Sequence, residues 1–474
     1  MLFNSYPFWA FFFFVYLVYW RLPKALQNRY LLIVSYVFYG FWDWRFLSLI
    51  ILSTLVDYWA GKNIVKHYLK RKFYLSISLV TNLTILGFFK YFGFFSDQLS
   101  QLLATVGISY LYPTIDVILP VGISFYTFQT MSYTIDIYRK DSKPIESLIN
   151  FALYVSFFPQ LVAGPIERSY RLIPQIVVPR EFTKANISDG IYLITYGLFL
   201  KLVIADNMAI ISDSIFSENP GNLLGSDVLI GSYAFAFQIY GDFSGYSSIA
   251  RGLAKCLGID LITNFKIPYI SKDPSEFWNR WHISLSSWLK DYLYIPLGGN
   301  KHGRLKTFRN LFITMFLGGL WHGANLTFIA WGVFHGTLLI LYHFIKEKNL
   351  YSDFNYFNNK YSQAFMSFSR SLIMFHLVCL GWILFRSETI FHAYNLVMRL
   401  FLQFQISSFF ITSIGLIGFF VLPFFIYEIW NDRIGSPNFQ KRSAASLIIF
   451  FNYCFFMIVI FQAPSTKEFI YFQF

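Results

Sequence analysis

Charge is scarce in this chain. Only 13% of its 474 residues are Asp, Glu, Lys or Arg, about half the ~25% of a soluble globular domain. With 56% hydrophobic and 22% aromatic residues, a water-soluble fold would keep large exposed apolar patches, which soluble monomers avoid. Intrinsic disorder needs low hydrophobicity and is excluded on the same ground. Cysteine is nearly missing: Cys256, Cys379 and Cys454 are the three, without paired spacing, so a disulfide scaffold is excluded as well. Neither His-Glu-x-x-His nor Cys-x-x-Cys occurs, and no acid lies within a turn of His322, so the sequence offers no metal site. Internal repeats, low-complexity tracts and soluble-domain linkers are absent too.

What is present is a series of apolar stretches. They run over 6–22, 29–41, 46–61, 73–95, 113–134, 148–165, 187–205, 228–250, 311–345, 369–386, 409–430 and 444–463. A membrane-spanning helix takes roughly 20 residues, so these predict an all-α polytopic membrane protein with about ten to twelve crossings. A transmembrane barrel would instead show alternating strands of about ten residues. No basic residue precedes the first stretch and no small-residue cleavage site follows it, so it reads as a retained span. The stretch 311–345 is too long for one crossing and contains Gly-Gly and His-Gly pairs, which predicts a re-entrant segment followed by a helix.

The charge that does occur is mostly positive, with a formal net of +13. It sits in short loops: Arg21, Lys24 and Arg29 in one, Lys62, Lys66, Lys70, Arg71 and Lys72 in the next basic one. Short Lys/Arg-rich loops stay cytoplasmic, which predicts an extracytoplasmic N-terminus. Nucleic-acid binding would gather the charge into one patch; its spread fits retention at an anionic lipid surface instead. Residues 251–310 differ from the rest, with ten Lys/Arg interleaved with Trp278, Trp281, Trp288, Tyr292 and Tyr294. Phe277, Trp281, Leu285, Trp288 and Leu289 share one helical face, and Asp273-Pro274-Ser275-Glu276 supplies a helix start. An amphipathic helix lying in the membrane interface follows from this pattern.

Two histidines stand in unusual settings: His282 in Phe-Trp-Asn-Arg-Trp-His-Ile-Ser (277–284), and His322 in Gly-Gly-Leu-Trp-His-Gly-Ala-Asn (318–325). An ionisable group inside an apolar run usually faces a cavity or a reaction path, and imidazole suits proton transfer near neutral pH. The competing reading is a buried structural histidine bonded to a carbonyl, which is the better reading for His335, His343 and His376. Asp242 and Ser244, in Gly-Asp-Phe-Ser-Gly (241–245), either line the same cavity or close a helix–helix contact. Gly298, Gly299, Lys301 and Arg304, in Leu-Gly-Gly-Asn-Lys-His-Gly-Arg (297–304), either cradle the phosphates of a nucleotide-like donor or form a cytoplasmic turn.

The run 277–300, the run 318–325, Phe-Pro-Gln-Leu-Val-Ala-Gly-Pro-Ile (158–166) and Gly-Asp-Phe-Ser-Gly-Tyr-Ser (241–247) together resemble the membrane-bound O-acyltransferase family. The likeness covers about 120–345 as a family core, with further helices over 350–474, in one membrane-embedded domain over 1–474. It is stronger to the branch that acetylates polysaccharides such as alginate than to the branch that transfers D-alanine to teichoic acid. The sequence departs from the pattern at Ser248, where an acid is common. The resemblance implies acyl transfer, of an acetyl group in that branch, to a hydroxyl inside a tunnel through a bacterial inner membrane. Its histidines fall on His282 and His322, 40 positions apart. It further implies a cytoplasmic thioester donor, acetyl-CoA or an acyl-carrier protein, with no permanently bound cofactor. An esterase-like (SGNH) periplasmic or extracellular acetyltransferase is the implied partner and a polysaccharide the implied acceptor. In this reading His322 is the general base and His282 positions or polarises the donor. Trp278, Trp281, Trp321 and Asn279 line the passage, and Asn325 orients His322. A transporter for acyl groups or lipids, and a non-catalytic scaffold, are the alternatives from other classes.

Overall fold

The computed structural model describes residues 1–107, 118–162, 164–348, 359–434, 443–464 and 469–470. The start of the 113–134 stretch, Ala163 of the 158–166 motif and parts of the 350–474 segment lie outside the described residues. Among those described, every regular element is a helix. Six helices are long and apolar enough to cross a membrane: Tyr68–Thr105, Lys184–Phe216, Leu326–Glu347, Tyr361–Arg386, Ser408–Asp432 and Ala444–Phe461. The chain is a multi-pass membrane protein.

Six among the described residues is fewer than the apolar stretches predict, and two of the stretches show a reason. The 148–165 stretch breaks into Leu148–Ser156 and Phe158–Leu161, each far short of a bilayer. The Ile123–Arg139 helix has only 17 residues and is buried on nearly every side, Gln129, Thr130 and Asp136 included, which suits a helix covered by protein and not by lipid.

The chain divides into two compact units, residues 1–195 with 246–262 and residues 196–245 with 263–474. The first gathers the helices Tyr6–Arg21 through Ser169–Val177. Its interior contains a buried polar knot: Asn82 Nδ2 donates to Asp57 Oδ2 at 2.8 Å, and Ser53 Oγ donates to Asn82 Oδ1 at 2.8 Å. Such interhelical bonds hold helices together where lipid gives no hydrophobic drive.

The second unit shows how the histidine segments fold. The predicted interfacial helix is two helices, Pro274–Arg280 and Ile283–Leu289, followed by a π-helical turn over Lys290–Tyr294. The predicted start is present: Asp273 accepts from Glu276 N at 2.8 Å, Pro274 opens the helix, and Glu276 accepts from Lys272 N at 2.9 Å. Asp273 thus caps the helix, while Glu276 reaches back to the N–H of the residue before the cap. The break falls at His282, whose φ of 43° and ψ of 53° are left-handed. The 311–345 stretch divides into Arg304–His322 and Leu326–Glu347. These two pack with almost no separation, because a Cβ on Gly319 would lie 2.3 Å from the Phe328 carbonyl oxygen and one on Gly332 2.4 Å from that of Met315.

Candidate active site

Four elements of the second unit bring imidazole and indole rings together. His322 is the last residue of the Arg304–His322 helix and 3% exposed. Its ring centroid lies 4.9 Å from Trp331, 5.1 Å from Trp321 and 5.3 Å from Phe385. His282 is fully buried, 4.6 Å from Phe243 and 5.9 Å from Trp321. Trp321 therefore contacts both imidazoles and links two histidines 40 positions apart. Burial pushes the His282 imidazole down to about 3, since a charged ring there would lose its hydration. At neutral pH it is an uncharged hydrogen-bonding group.

The local sequence accounts for the placement of His282. Asn264 accepts from Ile283 N through its backbone carbonyl at 2.9 Å, and its Oδ1 accepts from Ser284 N at 3.2 Å and Ser284 Oγ at 2.9 Å. Those bonds hold the first turn after the break. A left-handed non-glycine residue survives where its surroundings over-determine it, and such residues gather at functional sites.

Trp281 faces another part of the same cluster, with Trp382 at 5.0 Å and Phe265 at 5.0 Å. Trp278 opens onto a cavity of about 610 Å³ that Asn279, Lys290, Gly298, Gly299 and Lys301 also line. The glycines are needed there. Gly298 and Gly299 have φ of +111° and +55°, and a Cβ on Gly298 would lie 2.7 Å from the His302 ring. Asn310 fixes the turn by donating to the Gly299 carbonyl at 2.9 Å. The loop that sequence reasoning left between a phosphate cradle and a turn is thus a wall of a cavity with two lysines on it. Arg304 does not join them: its guanidinium lies 4.4 Å over the Phe344 ring and 3.4 Å from Glu347.

One expected role changes and one open alternative is decided for the helix contact. Asn325 does not orient His322; its Oδ1 accepts from Thr327 N at 3.1 Å and its Nδ2 donates to the Glu388 carbonyl at 2.9 Å. Both ends of the amide are committed, one to capping the Leu326–Glu347 helix and the other to the chain just past the Lys360–Arg386 helix. Asp242 closes a helix contact: Lys201 Nζ lies 2.9 Å from Asp242 and 2.9 Å from Asp206, and Ile470 N donates to Asp242 Oδ2 at 2.7 Å. Ser244 is buried on the same helix. Asp242 still bears on the cluster through Phe243, the next residue, which touches His282.

Sequence reasoning does not single out Trp331 and reads His335 as a structural histidine, yet both join the ring cluster. They stand one turn apart on the Leu326–Glu347 helix, with rings 4.8 Å from one another. His335 is fully buried and 5.2 Å from Trp278. The i, i+4 pairing of an indole with an imidazole in an apolar run was the available signal. Lys201 was passed over as well, although a lone cation in the 187–205 stretch is the kind of exception that marks a function or a buried pair.

Polytopic helices around a pair of buried histidines are what the resemblance to a membrane acyl-transfer enzyme implies, and sequence comparison supplies the class. Residues 138–387 match the membrane-bound O-acyltransferase family, and this chain belongs to that family and is an O-acyltransferase. It is 41% identical over 377 residues to the probable alginate O-acetylase of Pseudomonas syringae pv. tomato, covering 79% of this chain and 70% of that one. To the peptidoglycan O-acetyltransferase of Helicobacter pylori it is 33% identical over 388 residues, 76% of this chain and 71% of the relative. The teichoic acid D-alanyltransferase of Bacillus subtilis is 29% identical over 302 residues, 59% of this chain and 72% of the relative.

Proposed function

We propose that this chain is a bacterial inner-membrane O-acetyltransferase, with its N-terminus outside the cytoplasm. It takes an acetyl group from a cytoplasmic thioester, acetyl-CoA or an acyl-carrier protein, and passes it outward for O-acetylation of a polysaccharide such as alginate, by way of an esterase-like periplasmic acetyltransferase. The observation that carries the reading is His322, 3% exposed and one indole away from His282. The thioester enters at the cavity that holds Lys290 and Lys301, where the lysines attract donor phosphates or a carrier's acidic surface.

His322 accepts the proton of the acceptor hydroxyl as that oxygen attacks the thioester carbonyl. The new C–O bond forms, the C–S bond breaks, and the thiolate leaves with the proton that His322 held. His282 donates an N–H to the developing oxyanion, and the absence of charge on its ring keeps the acyl passage apolar. Trp278, Trp281 and Trp321 wall the path.

The test is purified protein in proteoliposomes with radiolabelled acetyl-CoA inside and the periplasmic acetyltransferase with its polysaccharide outside. A general base contributes about 10²–10⁴-fold, so His322→Ala should lose that much turnover while remaining monodisperse. Undiminished transfer by His322→Ala would refute the assignment, and label moved across the bilayer without a new ester would indicate a transporter. The 29% likeness to a D-alanyltransferase makes D-alanyl-carrier thioester the comparison donor, and transfer from that donor alone would replace acetyl by D-alanyl.

A further inference from the structure

The first unit holds a second cavity, of about 320 Å³, unrelated to the histidines. Its walls come from the start of the Lys24–Asp43 helix, the start of the Leu148–Ser156 helix and the chain over 176–180. No acidic side chain lines it, while Lys24, Arg29 and Arg180 do. Neither helix has an acid in its first turn, and the Lys24–Asp43 helix has no side-chain cap. Ser147 caps Asn150 N on the Leu148–Ser156 helix, so what the two helix starts bring to this space is the positive end of each dipole, which favours an anion.

Arg180 supplies an independent indication. It is 7% exposed and its guanidinium lies 5.6 Å over the Tyr19 ring. Nη2 donates to Asn28 Oδ1. Asn28 is in turn fixed by donating to Asn150 Oδ1 at 2.9 Å and to the Ile176 carbonyl at 2.8 Å. Apart from the neighbouring Tyr19 hydroxyl, Nε and Nη1 of Arg180 have no acceptor at hydrogen-bond distance among the described residues. A buried guanidinium held in place, with donors left over and no carboxylate on the cavity wall, is costly without a counter-anion. Its donors match the paired oxygens of a phosphate.

The rim indicates which phosphate. Val177 and Val178 line the cavity yet are 54% and 59% exposed, and Leu26 and Leu148, next to lining residues, are exposed too. Apolar surface around a cationic pocket suits a molecule that joins a phosphate to acyl chains. We propose that this cavity binds the phosphate of an anionic phospholipid headgroup, with Arg180 as the buried anchor and Lys24 and Arg29 at the mouth.

The experiment is native mass spectrometry and lipid titration of the full chain in neutral detergent, with phosphatidylglycerol, phosphatidylcholine and inorganic phosphate as separate probes. Wild type should bind phosphatidylglycerol in preference to phosphatidylcholine. Arg180→Gln should weaken that binding at least about tenfold, the loss of a charge-assisted pair of bonds. Lys24→Gln/Arg29→Gln, at exposed positions, should weaken it several-fold with thermal stability unchanged, which keeps the test valid if Arg180→Gln folds poorly. Equal phosphatidylglycerol binding by wild type and both variants, or no preference over phosphatidylcholine, would overturn the proposal. Arg180-dependent binding of inorganic phosphate without binding of phosphatidylglycerol would overturn the lipid as occupant.

Discussion

Replacing Lys201 by methionine is the sharpest test of how the second unit is held together. Its Nζ lies 2.9 Å from both Asp206 and Asp242, and the three side chains are 1%, 2% and 3% exposed. A methionine fills the stem's volume, so the change isolates the charge. It leaves two carboxylates facing each other out of reach of water. Breaking a buried pair by removing one partner costs about 3–5 kcal/mol, a large share of the roughly 5–15 kcal/mol that keeps a domain folded. The approach of the helices concentrates that loss. A Cβ on Gly241 would lie 3.1 Å from the Leu200 carbonyl oxygen and one on Gly245 2.9 Å from that of Gly197, so the carboxylates cannot separate without moving backbone. Chemical denaturation in detergent, followed by size-exclusion elution, reads the stability. Lys201→Met should lose about 3–5 kcal/mol, and the triple change Lys201→Met/Asp206→Asn/Asp242→Asn should recover much of it, because no buried charge is left unpaired. Activity should fall with Lys201→Met as well, since Phe243 adjoins Asp242 and touches His282. Wild-type stability in Lys201→Met, or a triple variant weaker than the single one, would refute the ion-triad account.

The fold class was legible in composition because a bilayer tolerates so little charge that 13% is itself diagnostic. The histidines were legible for the same reason, as titratable exceptions in apolar or Trp-rich runs. Helix breaks were half legible. Gly323–Asn325 reads as a break because a glycine and a capping asparagine meet there, whereas the break at His282 comes from bonds to Asn264, eighteen positions upstream, and no local propensity carries that. Side-chain roles were least legible. Asn325 next to His322 in sequence suggested a bond between them, but a residue opening a helix spends its amide on that helix's free N–H groups. The Asp242 partner could not be read at all, since nothing in 241–245 points to position 201. Tertiary pairing, not spacing, determines what a buried polar residue does.

Two further outcomes follow from the same geometry. Asn325→Ala should cost about 1 kcal/mol of stability, the usual value of a helix cap, and leave the pH profile of turnover unchanged, because the side chain serves Thr327 N and Glu388 and not His322. A shifted profile would restore the orienting role. His282 governs the response to acid. Its folded value of about 3 lies below the ordinary 6.5, so the unfolded chain binds the proton more readily than the folded one. The stability it contributes is complete above about pH 6.5 and is lost as pH falls toward 3, at up to about 1.4 kcal/mol per pH unit. Melting of wild type and His282→Gln between pH 7 and pH 4 isolates this group, since every other titration is common to both. The wild-type curve should fall more steeply; parallel curves would mean that the imidazole is hydrated in the folded protein, and the uncharged donor assigned to it in acyl transfer would go with that result.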